Sequence, residues 1–578
     1  MTRQHNRFGA AARLIPIFSV LATWPWGPGC TPTPGAASPS PTPARPNVPM
    51  GKPAAADAGG AAQLDPAETP ADGAAPAARD AGLQPSEGGD GASGDAGPDL
   101  RPAPPVDELA HLSKVVPVFW ITVDGGLAIP RDMKIPGRIK VIEDHDGTLE
   151  GIMARAASLE SPIGIELRGQ SSFEFDQKPY GIEIRDDLGK GKSMPLLGLP
   201  PESDFVLHSC YADKTCMRNA LTYVVGREMG AADQRWAPRS RYVEIFVDGQ
   251  YQGLYLLVER IKKDKARVNL PAPAADTTMG DVSGGYIISQ EGDGGRVGED
   301  FPSPLDLRGK MVYRYPRADV ITAAQKSYLQ DALKSLAQTL GSEKGLTEVV
   351  RKRIDVASFV DYELVQELSN NVDAYWKSWF FYKLPDGAGG QFFSGPLWDY
   401  DLGYGNIIFK KRYCSNTWAT SELTSGPMAA LVNHPEFKDA LRCRWNSLRA
   451  AGGPLDLERL EQKITAFSQH IGKAKARDQM RWHNIGAWIW PNNYIGGSWA
   501  DEVTYLRYWL RRRLSFLDKS LPGTCAAVPA PAAVSLIAAP PKVMESNTRM
   551  PYLGRDAPVY IPIEGPLPAN LASWACPK

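Results

Sequence analysis

The chain has 578 residues, seven cysteines and a formal net charge of -1. That length exceeds one ordinary domain, and near-neutral charge argues against a general nucleic-acid binder, so no nucleic-acid partner is expected. No stretch approaches the roughly 20 consecutive apolar residues of a membrane-spanning helix.

Residues 1–30 have the pattern of an export signal. Arg3, Arg7 and Arg13 precede a short apolar run, Leu14–Trp26, and Gly27-Pro28-Gly29-Cys30 follows. A cysteine placed after small residues suits lipidation of Cys30, although Pro16, Pro25 and Pro28 fit that pattern poorly. From residue 31 to about 105 the sequence is Ala, Gly, Pro, Ser and Asp with almost no aromatic residue. Such a segment cannot bury enough apolar surface to offset its chain entropy, so a disordered tether is expected.

The globular part begins near Lys114. Strands are predicted over Val115–Val123, Ile163–Gly169 and Tyr180–Arg185. A helix opens around Asp213 and runs to about Met229. Tyr242–Val247 and Tyr251–Glu259 flank Asp248-Gly249, the strongest short hairpin signal in the chain, and Gly285–Gln290 is another strand. Gly189-Lys190-Gly191-Lys192-Ser193 hints at a P-loop, but the upstream glycine position holds Asp186, so a basic hairpin tip is predicted.

After about Ala323 the period becomes helical: Ala323–Leu340, Ser342–Lys352 and Val356–Ser369 carry spaced apolar residues. Two short strand-like stretches follow, Ser378–Leu384 and Gln391–Leu397, joined by the turn-forming run 385–390. Paired strands lie roughly 5 Å apart, so a hairpin brings Asp373, just before it, to Asp399, just after it. Asp399 and Asp401 would share a face if the second strand continued. Further helices are expected over Met428–Val432, Glu436–Ala450, Leu455–Ala474 and Asp501–Ser520. Strands first and helices second suggest an α+β body of two lobes, 106–322 and 323–525, with a Pro/Ala-rich linker and tail over 526–578. Apart from Cys30 the cysteines number six, enough for three disulfides in an exported chain. Cys210 and Cys216 suit a local pair, and Cys525 and Cys576 suit a staple between tail and body.

Several blocks together resemble the spore coat protein H (CotH) kinase family. They are Arg168-Gly169-Gln170-Ser171-Ser172, Lys178-Pro179-Tyr180, Asp213–Asn219, Gly253–Glu259, Gly284–Ile288, Asp373 with its hairpin, and Trp398–Asn406. The resemblance runs in order from about Val115 to Leu521. It implies a bilobal, atypical protein-kinase-like fold, with an N-terminal lobe rich in antiparallel sheet and a mostly helical C-terminal lobe, that uses ATP and Mg2+ to phosphorylate proteins. It assigns a catalytic role to Asp373 and a metal-binding role to Asp399, and it sets the Arg168–Ser172 turn, including Gly169 and Ser171, near the nucleotide phosphates with Lys178 as a phosphate-contacting lysine.

Each residue has a plainer alternative. For either aspartate the alternative to the functional role is a turn or cap residue. Asp401 either approaches the metal or holds the Gly403–Asn406 turn. Ser378 stands five residues after Asp373, where kinases place an asparagine as a second metal ligand; a hydroxyl is a poorer ligand. Lys377 either neutralises a phosphoryl group or is a solvated lysine. Glu259 is read as a partner for Lys178 or Arg218 or as a rim carboxylate, and Arg218 as a ligand contact or a salt-bridge partner. The expectation is an exported, lipid-anchored kinase that phosphorylates Ser or Thr of an envelope or surface protein. The alternatives are a degenerate surface binding module and an AMP transferase on the same fold.

Overall fold

A computed structural model describes residues 110–542, except 114, 132, 271–281, 293, 296 and 306–308, and also residue 576. The export signal, Cys30, the tether and residues 543–575 of the tail lie outside the described residues.

The segment 118–259 forms a closed seven-stranded barrel. Its strands are β1 (Val118–Val123), β2 (Ile135–Ile142), β3 (Leu159–Leu167), β4 (Tyr180–Ile184), β7 (Asp204–Ser209), β8 (Ser240–Val247) and β9 (Gln250–Glu259), with a short α1 (Leu149–Ala154) after β2. β5 (Met194–Leu196) and β6 (Leu199–Glu202) form a separate ribbon. The barrel order is β1-β2-β3-β4-β7-β9-β8, antiparallel throughout except where β1 pairs β8 in parallel and closes the ring. Alternate residues such as Phe119, Ile121, Ile139, Ile165, Leu207 and Leu257 fill the interior. Asp248 and Gly249 both take positive φ, 49° and 76°, as the two-residue turn between β8 and β9 requires.

A second, five-stranded sheet has the order β11-β12-β10-β13-β14. It comprises β10 (Tyr286–Glu291), β11 (Asp300–Pro302), β12 (Lys310–Tyr315), β13 (Trp379–Lys383) and β14 (Phe392–Ser394). The predicted hairpin therefore forms, in a shorter version, with Phe381 opposite Ser394. Its first strand also pairs with β10, so a strand from before residue 322 and one from after 323 share one sheet.

The helices are α2 (Arg218–Gly230), α3 (Ala323–Ser342), α4 (Glu348–Arg353), α5 (Val356–Ser369), α6 (Gly426–Asn433), α7 (Pro435–Arg449), α8 (Leu457–Trp482) and α9 (Trp499–Ser520). The architecture is α+β. Every α5 residue from Ser358 to Ser369 is buried, so α5 is a central rod whose C-terminal end is held in place by packing on all sides. In the segment read as helix over Ser342–Lys352, Ser342 ends α3 and helix resumes only at Glu348, where Thr347 caps it. α2 starts at Arg218 and not at Asp213; Asp213 instead reaches forward to accept the Arg218 backbone N–H at 2.9 Å.

Cys210 pairs with Cys216 as expected. Cys525 and Cys576 do staple the C-terminal segment to the body, each through its own partner and not through one another: Cys443 joins Cys525, and Cys414 joins Cys576. Cys525 follows α9 closely, and α9 lies beside α7, which carries Cys443; Arg449 of α7 pairs with Asp518 of α9 at 3.1 Å. The nearer partner takes Cys525 and leaves Cys576 to the turn after the acidic segment.

Candidate active site

α5 ends at Asn370, whose left-handed conformation (φ 47°) turns the chain sharply. Its side chain holds the following loop by donating to the carbonyls of Arg412 and Cys414 and to Thr417. Asn371 then ties the two acidic segments together. Its Oδ1 accepts the Asp373 N–H at 3.2 Å, and its Nδ2 donates to the Asp399 carbonyl at 3.3 Å. Nothing but its position two residues before Asp373 marked Asn371 in the sequence.

Asp399 lies beyond β14 with φ 70°, a left-handed conformation that is costly for a residue other than glycine. α2 holds it there: the Asp399 N–H donates to the Tyr223 hydroxyl at 3.3 Å, and the Tyr400 N–H donates to Asn219 Oδ1 at 2.7 Å. Ser378, also left-handed, donates its hydroxyl to Asp399 Oδ2 at 3.4 Å. The hairpin thus brings Asp373, Ser378 and Asp399 to one place. Asp401 joins them through a hydrogen bond between its carboxyl and that of Asp399. Strand alternation is not the reason, because residues 395–402 are not strand; the left-handed turn at Asp399 makes the approach. Asp401 also holds the turn that follows, its carbonyl accepting from Asn406 Nδ2 at 2.9 Å.

The electrostatics follow from this crowding. Burial and then the Asp399 charge push the Asp373 carboxyl up to about 6, against the opposing pull of Lys377 and Lys410. Burial raises Asp399 despite Lys377, Arg168 and the hydrogen bond from Asp401. Asp401 is pushed well above the carboxylate range by burial, with Asp399, Asp213 and Asp373 adding to it. Lys377 therefore acts on both principal aspartates and is not a lone solvated lysine. Arg168 faces Asp399 with its guanidinium 5.7 Å from the Trp398 ring; burial and nearby Arg260 pull it down to about 10.

Among the described residues, no group of three or more His, Cys, Asp or Glu side chains is arranged to hold a metal ion by itself. Magnesium makes a lesser demand: it binds through one or two carboxylates and is completed by substrate phosphates and water. The all-oxygen set Asp399, Asp401 and Ser378 fits that chemistry. Like-charged acids with raised proton affinity are also what a divalent cation would relieve.

The remaining predicted residues fall nearby or elsewhere. Gly169 has φ 93°, and a Cβ there would stand 2.1 Å from Ser172 Oγ, so only glycine allows the turn to fold back on itself. Ser171 is exposed on that turn and Ser172 half-buried. Lys178 donates to the Phe173 carbonyl at 2.8 Å, closing the same turn from inside. Glu259 pairs with neither Lys178 nor Arg218. It is fully buried against Arg239 at 2.8 Å and Arg267 at 3.4 Å, which arrive from outside any local pattern. Arg218 is buried and pairs with Asp213 at 2.6 Å, and Asp213 is one of the charges that acts on Asp401.

One participant was missed entirely. Glu291, at the end of β10, stands across the sheet from Ser378 and accepts the Ser378 N–H on Oε2 at 3.3 Å. Its charge acts on both Asp373 and Asp399.

The family model for CotH kinase protein matches residues 165–517, more than half of the chain, and the chain belongs to that family. No curated protein matches the chain. The membership makes this a kinase-like protein, and Glu291, Asp373, Asp399 and Asp401 lie within the matched span.

Proposed function

We propose that the protein is an exported kinase that transfers the γ-phosphoryl group of ATP, with magnesium, to a serine or threonine hydroxyl of an envelope or surface protein. The observation that carries the reading is the convergence of Asp373 and Asp399, each with raised proton affinity, beside Arg168 and Lys377. In this reading the strand-rich part over 106–322 and the helical part over 323–525 act as the two lobes of a kinase-like fold.

Asp399 and Asp401, with Ser378, would hold magnesium, which supplies charge neutralisation at the phosphate oxygens. Arg168 and Lys377 offset the remaining negative charge. Asp373 orients the acceptor hydroxyl and takes its proton as the oxygen bonds to the γ-phosphorus. The bond between that phosphorus and the bridging oxygen breaks, and ADP leaves. The Gly169–Ser172 turn, which directly follows Arg168 and is closed by Lys178, would offer backbone N–H groups and hydroxyls to the phosphates. Arg218 and Glu259 serve as framework.

Three disulfides fit an oxidising compartment, and no described helix is long and apolar enough to cross a membrane. Attachment would then depend on a lipid at Cys30. A second reading, a surface binding module without turnover, draws support from Ser378 standing where kinases carry asparagine.

Incubation of the purified chain with magnesium and ATP labelled on either the γ or the α phosphate separates these readings. Transfer of the γ label to protein, lost in Asp399→Ala, is the expected result. Transfer of the α label alone would mean AMP transfer, and no transfer to any envelope-protein fraction would leave the binding module.

A further inference from the structure

We propose that Arg314 and Arg168 form a clamp for a chain of linked phosphates, with Glu291 and Ser289 as the residues that position Arg314 in it. The inference rests on the kinase reading for the identity of that chain as part of a nucleotide.

Arg168 supplies the first jaw. Its guanidinium makes no hydrogen bond or ion pair with any described residue, although Arg168 is half-buried over the Trp398 ring. A guanidinium carries five donors, and leaving them unmatched in a half-buried position is costly unless a ligand takes them.

Arg314, on β12, supplies the second. Its guanidinium lies 5.7 Å from the Phe380 ring, and Phe380 meets Trp398 edge-to-face at 6.5 Å. Two cations therefore rest on two adjoining rings set 63° apart, and stacking on aromatic faces favours arginine over lysine. Arg314 is fixed from behind. Its Nε donates to Ser289 Oγ at 2.8 Å and Nη2 to Glu291 Oε1 at 2.6 Å, while Ser289 Oγ donates to the same oxygen at 3.0 Å. Nη1 has no partner among the described residues and points from a side chain that is 37% exposed.

The charges are also arranged for an anion. Arg168, Arg260 and Arg314 lie close enough for the latter two to depress the proton affinity of the first. Like charges gather in this way where a multivalent anion completes them. Two jaws on adjoining rings suit linked phosphates better than a single one. Glu291 joins the clamp to the acidic centre, since its other oxygen holds the Ser378 N–H beside Asp399. Arg314 and Glu291 thus sit on the paired strands β12 and β10, and Glu291 links them to Ser378, next to β13.

The test is calorimetric titration of the full chain with inorganic tripolyphosphate and, separately, orthophosphate, each with magnesium. Wild type is expected to favour tripolyphosphate. Arg314→Met should weaken tripolyphosphate by about tenfold or more, the cost of a charged hydrogen bond, with little change for orthophosphate, so that selectivity collapses. Glu291→Gln should move in the same direction by less, and Arg314→Lys should recover part of the loss. Should Arg314→Met fail to fold, Arg314→Lys decides by the same ratio, because it keeps charge without the fork. Unchanged tripolyphosphate affinity in a folded Arg314 variant, or a wild type that does not discriminate between the two anions, overturns the clamp. Binding without any phosphoryl transfer counts against the kinase reading alone, and transfer by Arg314→Met at the wild-type KM for ATP counts against the clamp alone.

Discussion

The barrel interior and the acidic turn use burial in opposite ways. Inside the barrel, Phe119, Ile139, Ile165, Ile182, Leu207 and Leu257 are packed against one another with almost no exposure. At the acidic turn, Asp373, Asp399 and Asp401 crowd one another, Glu291 adds a fourth carboxylate, and four nearby residues, Asn370, Tyr375, Ser378 and Asp399, hold left-handed backbone. Each feature of the turn opposes folding when taken alone. Their concentration at one end of α5 is the pattern expected where a working site is held together by the rest of the fold. A side chain that stabilises the molecule and one that works for it should therefore respond oppositely to neutral substitution.

Asp399→Asn and Asp373→Asn give the largest expected effect. Phosphoryl transfer should fall by about a hundredfold or more, the scale seen when one preorganised charge contact is removed, whereas melting temperature should hold or rise because a repelling charge has gone. A marked loss of stability with activity retained would make these aspartates structural and erase the contrast. Leu207→Ala should do the reverse. Filling is lost at the centre of the barrel, so a destabilisation of about 2–5 kcal/mol is expected, with the specific activity of the folded fraction unchanged.

The two regions were also unequally legible. Asp373 and Asp399 could be paired from sequence because the device that unites them is local: a hairpin whose turn chemistry and strand composition are plain. Barrel closure was hidden. β2 alternates cleanly but contains Pro136 and Gly137, which disguise it, and β7 is buried on both faces from Asp204 to Leu207, so it shows no alternation. Glu291 was illegible for a different reason. Its place depends on β10 pairing with a strand some 90 residues later, and nothing local announces such a pairing. Glu259 shows the same limit, since a carboxylate at a strand end reads as a ligand until Arg239 and Arg267 are seen around it.

Protonation offers a subtler separation. Asp373 titrates at about 6 in the folded chain against an ordinary value of 3.8. A raised carboxylate pKa means that the folded state holds the proton more tightly. Its stabilising contribution is thus complete below 3.8 and is lost as pH rises through about 6. Asp373→Asn should accordingly be more stable than wild type at pH 7, and the advantage should vanish by pH 4. Activity should move the other way, rising as the pH passes 6 and the carboxylate becomes able to accept a proton. Barrel variants should show neither trend. A stability difference independent of pH would remove Asp373 from the crowded set.

Ser378→Asn should have the smallest effect and tests how the acidic centre is completed. The position has φ 55°, a conformation asparagine tolerates better than most residues, so the backbone cost is small. The change removes the hydroxyl that lies 3.4 Å from Asp399 and supplies an amide oxygen, a better ligand for a hard cation. The backbone N–H that Glu291 accepts is untouched, so the link between β10 and β13 survives. If the serine limits cation binding, the variant should reach half-maximal activity at several-fold lower magnesium while its melting temperature stays close to wild type. An unchanged magnesium requirement would mean that the acids alone set the affinity. The serine would then belong with the residues that shape the turn, alongside Asn370 and Tyr375.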